Sequence, residues 1–191
     1  WIVDEDILIG SVGGPTQAGL RYTDLENLKI EGSYEETPAA AYDPHERLKA
    51  MEVDGVVGEV VYSTIGTRLY TVDVRGELLS ACFRALNGWS AEFGQAYPNR
   101  LKGTGLISFD DIDDAVSELQ RCAKMGLAGL VIPAYVSEDR HYDQPEFEPF
   151  WAAAQDMEMP VSLHILTGHD YSKTPGAQIS DRQPGLQTMH L

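Results

Sequence analysis

Several things that would settle the class of this chain are scarce in it. There are two cysteines, Cys82 and Cys122, in 191 residues, with no CxxC pair and no Cys/His spacing of a zinc module. A disulfide-stapled secreted domain is not the reading. Both thiols are expected to be free, in a reducing compartment such as the cytoplasm. No apolar run approaches the roughly 20 residues of a membrane span, and no secretory leader heads the sequence. Positive charge is also short, with 14 Lys+Arg against 30 Asp+Glu and a net charge of -16. That field repels phosphate backbones and anionic lipid, so neither nucleic acid nor a membrane is expected as a partner. Neither GxGxxG nor GxxxxGK[ST] follows any expected strand, which argues against a dinucleotide or P-loop site.

What remains is an acidic, enzyme-like chain whose 43% apolar content suits a packed core. Residues 1–42 read as an excursion: WIVDEDILIG alternates apolar and acidic residues like a hairpin or edge strand, and Pro- and Gly-punctuated loop follows. A regular rhythm begins at residue 43 and defines the second region, 43–191. DPHERLKAMEVDG opens with Asp43 as N-cap, Pro44 at the first helical position and Glu46 in a capping-box place. GEVVYST (58–64) is an expected strand, and Leu79, Cys82, Leu86, Trp89 and Phe93 mark a long amphipathic helix. Strand 101–109, a helix from DDIDDAV to Gly126, strand 127–135, a helix in PEFEPFWAAAQDMEM and strand 161–166 follow. The remainder reads as loop, with a helix starting near its end.

Apolar strands alternating with amphipathic helices predict an α/β fold with a parallel sheet. Four such strands fit half of a (β/α)₈ TIM barrel or part of a doubly wound sheet, and periodicity does not choose between them.

In either architecture, chemistry collects at the C-terminal ends of strands. The candidates there are Tyr62, Ser63 and Thr64, then Ser108 and Phe109, then Pro133 and Tyr135, and finally His164. His164 lies inside the apolar run MPVSLHILTG, where a hydrogen-bonded core histidine and a metal ligand or proton carrier are about equally good readings. His169 and Asp170 lie just beyond it, but HILTGHD is not a recognised ligand spacing and a solvated loop accounts for them. His141 and Asp143 flank a turn, His45 belongs to a helix start, and His190 sits at the edge of the chain.

Several blocks taken in order resemble the amidohydrolase-related (amidohydrolase-2) family, similar to aminocarboxymuconate semialdehyde decarboxylase. They are RLKAMEVDGVVGEVVYST, CFRALNGWSAEFGQAYPNRLKGTGLISFDDIDDAVSEL, GLAGLVIPAY and FEPFWAAAQDMEMPVSLHILTG, spanning about residues 44–168. The resemblance implies a metal-dependent (β/α)₈ barrel with an HxH or HxE pair on the first strand, histidines on the fifth and sixth, and a catalytic aspartate on the eighth. Of these, only His164 has a counterpart here, as the fifth-strand ligand. The strands read above would then be the second to the fifth, with residues 1–42 an insertion before the first barrel helix. Asn87 matches a family asparagine. Gly88 and Ser63 stand where the family usually has Asp and Pro, which leaves subfamily and substrate open.

The implied function is a metal-dependent hydrolase or decarboxylase acting on a small carboxylated substrate, with Zn²⁺ or Mn²⁺ as cofactor. Arg68, Tyr135 and His169 are the substrate-binding candidates. Arg68 is offered as a cation for the acid and is equally readable as a solvated loop charge. The chain begins at Trp1 and carries neither HxH nor the family aspartate, so it reads as a piece of a longer enzyme. The rival reading is an inactive half-barrel without a metal centre, surviving by association. A homo-oligomer is left open.

Overall fold

The computed structural model describes Ile2–Val3, Ile7–Leu8, residues 33–165 and residues 167–168. Strand β1 (Ile2–Val3) pairs antiparallel with β2 (Ile7–Leu8). Short 3₁₀ turns at Tyr34–Glu36 and Ala39–Ala41 lead into α1 (Pro44–Asp54). The Asp43 carboxylate accepts the His45 and Glu46 amides at 2.8 and 3.4 Å, satisfying two donors of the first turn, and Gly55 ends the helix at φ 69°. The reciprocal half of a capping box is not made, because the Glu46 carboxylate turns to Lys49 at 2.6 Å.

Next come β3 (Glu59–Val61), a short α2 (Thr64–Arg68), the long α3 (Gly76–Gln95), β4 (Leu101–Gly103) and β5 (Gly105–Leu106). They are followed by α4 (Ile112–Lys124), β6 (Leu130–Pro133), a 3₁₀ turn at Pro145–Phe147, α5 (Glu148–Asp156) and β7 (Val161–His164). Pairing is parallel throughout this part: β3 with β4, β5 with β6, β6 with β7. The single strand expected over 101–109 is broken at Thr104. Its first half bonds to β3 and its second half to β6, so the two ladders hang on opposite edges of one segment. Thr104 joins them: its amide and hydroxyl both reach the Val61 carbonyl (3.2 and 3.0 Å), and the next amide, from Gly105, turns to Gly129 (2.9 Å). The spatial order is β3, β4/β5, β6, β7, each strand beside the next in sequence, as short crossovers require.

Leu69, Tyr70, Leu79 and Phe83 pack over Leu106 and Val131 on one side of these strands, and helices α3 to α5 cover the other. Gly103 and Gly105 point that way and allow close approach: a Cβ on Gly103 would lie 2.6 Å from the Ser90 carbonyl, and one on Gly105 would lie 2.7 Å from Cys122 Sγ. Ile107, Leu130 and Ile132 join Leu119, Phe147 and Phe150 in a core between sheet, α4 and α5. A second core holds Leu106 and Val131 against Leu69, Tyr70, Leu79 and Phe83. Trp89, expected in the buried stripe of α3, is 41% exposed and stacks on Phe93. Leu79 and Phe93 are buried as expected, and the inward stripe between them also takes in Phe83, Asn87 and Ala91.

Candidate functional site

His164 is the last residue of β7, with Pro133 of β6 as its Cα partner. Side chains alternate along a strand, so His164 shares its side of the sheet with Ser162 and, across the register, Val131. That side is opposite to Ile132 and Leu163. The imidazole is partly exposed rather than sunk in the helix-side core. Its Nδ1 lies 2.8 Å from the carbonyl oxygen of Ile165. A carbonyl only accepts, so Nδ1 carries the proton, and in the neutral ring Nε2 keeps its lone pair for a metal or a proton.

The end of β7 is tied down by a residue that the sequence pattern passed over. Thr167 is 2% exposed, and its hydroxyl accepts the Ala134 amide at 3.0 Å while donating to the His164 carbonyl. Gly168 follows at φ 132°, where a Cβ would collide with the Tyr135 carbonyl oxygen. Residues 133–135 therefore lie beside His164, Ile165, Thr167 and Gly168 at the ends of β6 and β7. On the same side of the sheet, the Tyr62 hydroxyl reaches Ser162 Oγ at 3.2 Å. Strand alternation with His164 could have signalled Ser162. A Thr three residues beyond a strand-ending histidine was the available cue for Thr167.

Other candidates find structural partners. Arg68 is not in a loop, as expected, but closes α2; that helix forms because Ser63 Oγ caps the Gly66 amide at 3.2 Å. Arg68 is exposed there. Ser108 Oγ accepts the Asp110 amide at 3.2 Å, tying down the turn into α4. Tyr135 is partly exposed, and His141 and Asp143 are exposed on the loop before α5. The His45 ring does not cap its helix; its Nδ1 meets the Tyr97 hydroxyl at 2.7 Å. His169, Asp170 and His190 lie outside the described residues.

Asn87 is 1% exposed and clamps a strand. Its Oδ1 accepts the Leu106 amide at 2.7 Å, and its Nδ2 donates to the Leu106 carbonyl at 2.9 Å and to Glu118 at 2.7 Å. With every polar atom of the amide engaged, packing and strand positioning account for it. Tyr70, also missed, is buried with its hydroxyl 2.7 Å from the Ile107 carbonyl and 3.0 Å from that of Val131. Burial holds its phenol well above the ordinary value, so it acts as a neutral hydrogen-bonding strut. Burial first, with Glu118 adding to it, pushes the Cys122 thiol up to about 12, which removes it as a nucleophile near neutral pH.

Among the described residues no group of three or more His, Cys, Asp or Glu side chains is placed to hold a metal ion. His164 fits such an ion as one donor of the right chemistry and tautomer, and the described residues supply no complete set. A cavity of about 240 Å³ beside Ser90, Gly94, Lys102 and Met125 lies at the N-terminal ends of the strands, away from His164. A cavity of about 10 Å³ near Tyr70, Ser108 and Pro133 has room for little more than one water. No described helix is long and apolar enough to cross a membrane.

A protein-family model described as Amidohydrolase matches residues 63–186. The chain belongs to the amidohydrolase family. The resemblance read from the motif blocks is thereby borne out. Among curated proteins, the chain is similar to the gamma-resorcylate decarboxylase of Rhodococcus jostii (strain RHA1). They are 27% identical over 146 residues, covering 71% of this chain and 44% of that protein. It is also similar to the gamma-resorcylate decarboxylase of Polaromonas sp., 30% identical over 87 residues, covering 42% of this chain and 27% of that one. Among solved structures, the 5-carboxyvanillate decarboxylase from Sphingomonas paucimobilis matches at TM-score 0.52 and 28% identity, over 62% of this chain and 35% of that chain. The 5-carboxyvanillate decarboxylase from Novosphingobium aromaticivorans, solved with manganese, matches at TM-score 0.57 over 90% of this amidohydrolase chain and 47% of its own. At 20% identity it speaks to the fold alone. The chain spans less than half the length of the curated relatives it matches.

Proposed function

We propose that the whole protein is a metal-dependent decarboxylase of small carboxylated aromatic acids, with His164 as one of its metal ligands. The observation that carries this reading is the His164 tautomer at the end of β7: Nδ1 is held by the Ile165 carbonyl at 2.8 Å, which leaves Nε2 as the donor. The curated relatives that match are decarboxylases, which favours carboxylate loss over hydrolysis and does not favour the inactive half-barrel. The four parallel strands are read as strands two to five of a (β/α)₈ barrel, with chemistry at their C-terminal ends. Residues 1–42 are read as the insertion before the first barrel helix. A divalent ion bound there supplies Lewis-acid polarisation of an acidic substrate. Manganese, reported in solved neighbours, is the first ion to test, with zinc beside it.

The chain's own contribution is positional. His164 offers a fixed donor, and Tyr62 and Ser162 line the same side with hydroxyls able to orient a substrate oxygen. A net charge of -16 works against capturing an anion, so local cations must offset it, and Arg68 on the exposed end of α2 is the candidate from this chain. Tyr135 and His169 are kept as substrate contacts. Both cysteines are free thiols, which supports a cytoplasmic location.

The test is elemental analysis of the purified full-length protein, together with CO₂ release from gamma-resorcylate and 5-carboxyvanillate. A divalent ion near stoichiometry, lost with activity in His164→Ala, is expected. Unchanged metal content and turnover in His164→Ala would overturn the assignment.

A further inference from the structure

Thr167 ties together three things that bear on His164. Its hydroxyl donates to the carbonyl of His164 itself, closing a side-chain turn back onto the end of β7. The same oxygen accepts the amide of Ala134 at 3.0 Å, which anchors that turn to the end of β6. Inside the turn lies Ile165, whose carbonyl holds the imidazole through Nδ1 at 2.8 Å. Thr167 is 2% exposed, and both bonds of its hydroxyl are made to backbone groups of the protein. Gly168 fixes the exit: its φ of 132° and its approach to the Tyr135 carbonyl leave no room for a side chain.

The direction of a carbonyl inside so short a turn is set by the bond that closes it. Without the closing bond, the backbone after His164 is free to rotate, and the Ile165 carbonyl, one peptide unit further on, no longer has to face Nδ1. The ring would then exchange between its two tautomers and swing about its side-chain torsions.

We propose that Thr167 is a positioning residue for His164, its hydroxyl latching the ends of β6 and β7 so that the Ile165 carbonyl fixes the imidazole with Nε2 as the available donor. This deepens the proposed metal-ligand role of His164 and rests on it for its functional consequence, though not for its geometry. Thr167 acts through the backbone and touches neither metal nor substrate.

Thr167→Val keeps the shape and removes the hydroxyl, whereas Thr167→Ser keeps the hydroxyl. Two readouts on the full-length protein separate the possibilities. The first is ¹⁵N NMR of the His164 ring in metal-free protein, assigned with His164→Ala. Wild type and Thr167→Ser should show the Nδ1-protonated form, and Thr167→Val a mixture of tautomers. The second is Mn²⁺ titration by calorimetry, where Thr167→Val should bind about 10- to 100-fold more weakly and Thr167→Ser within a few-fold of wild type. If wild type binds no Mn²⁺ but the tautomer still mixes only in Thr167→Val, the positioning role stands and the metal reading falls. If Thr167→Val keeps both the wild-type tautomer and the wild-type affinity, the proposal is overturned. It is overturned equally if Thr167→Ser, which keeps the hydroxyl, shows mixed tautomers of the His164 ring, because the hydroxyl alone would then not be what fixes the imidazole. That last arm holds even if Thr167→Val fails to fold.

Discussion

Asn87 carries a structural demand that hydrophobic patterning does not express. It sits in the inward stripe of α3, where an apolar residue would ordinarily be expected, and spends its amide on the Leu106 backbone and on Glu118. Glu118 is itself 6% exposed and is joined by Arg121 at 2.7 Å. A carboxylate in so enclosed a place persists only when paired and hydrogen-bonded. Replacing Asn87 by Asp removes both N–H donors, leaves the Leu106 carbonyl unpaired and sets a second acid against Glu118. The expected loss is about 2–4 kcal/mol of stability at pH 7, since each buried polar group left without its partner costs about 1–3 kcal/mol. Urea unfolding at pH 7 measures this; a change under about 0.5 kcal/mol would mean the clamp does not hold the strand.

At the scale of elements, the α3–α4 contact is ionic at its outer margin and holds the buried Asn87–Glu118 hydrogen bond beneath. Asp114, in the first turn of α4, accepts Ser80 Oγ at 2.5 Å and Arg84 at 2.7 Å, both from α3. Burial works to raise its carboxyl, but the bonds from Ser80 and Arg84, with the guanidinium charge, outweigh it and hold it below the ordinary value. A depressed folded pKa stabilises the fold above the unfolded value near 3.8, and that contribution fades as pH falls through the lower folded value. Asp114→Asn should therefore flatten the acid limb of the stability curve below about pH 4 while lowering stability near neutrality. Both side chains are about a third or more exposed, so the effect is expected to be small and salt-sensitive. An acid limb identical to that of wild type would sink the idea. Elements were also where the sequence was most legible. Asp43, Pro44 and Gly55 announce α1 through local bonds, and the stripe Ala115, Leu119, Cys122 announces α4 because it is apolar at helical spacing. The break at Thr104 was not legible, since it depends on which neighbour each half-strand meets. The link from Thr167 to the end of β6 was hidden for the same reason: its partner Ala134 lies 33 residues away, and periodicity carries no information about such contacts. His164 could be read as a candidate because it interrupts an apolar strand, but its tautomer became readable only with the Ile165 carbonyl in place.

At the scale of the molecule, two tendencies oppose each other. Among the described residues, β3 and β7 each have one unpaired edge, and apolar side chains stand open beside them: Val60 at 55%, Leu163 at 60% and Ile165 at 55% exposure. Leu163 registers with the fully buried Ile132, so it belongs to a core-type surface that continues outward without cover from the described residues. Open strand edges with apolar flanks favour self-association. A net charge of -16 opposes it by mutual repulsion, which salt weakens because the screening length falls from about 10 Å at 0.1 M to about 3 Å at 1 M. If the apolar edge drives assembly, sedimentation of this 191-residue chain should show more oligomer as salt rises from about 0.05 to 0.5 M. Leu163→Lys, which places a charge on the edge strand, should hold the chain monomeric across that range. If oligomers instead dissolve as salt rises, ion pairs rather than the exposed strand join the copies, and Leu163→Lys should then have little effect.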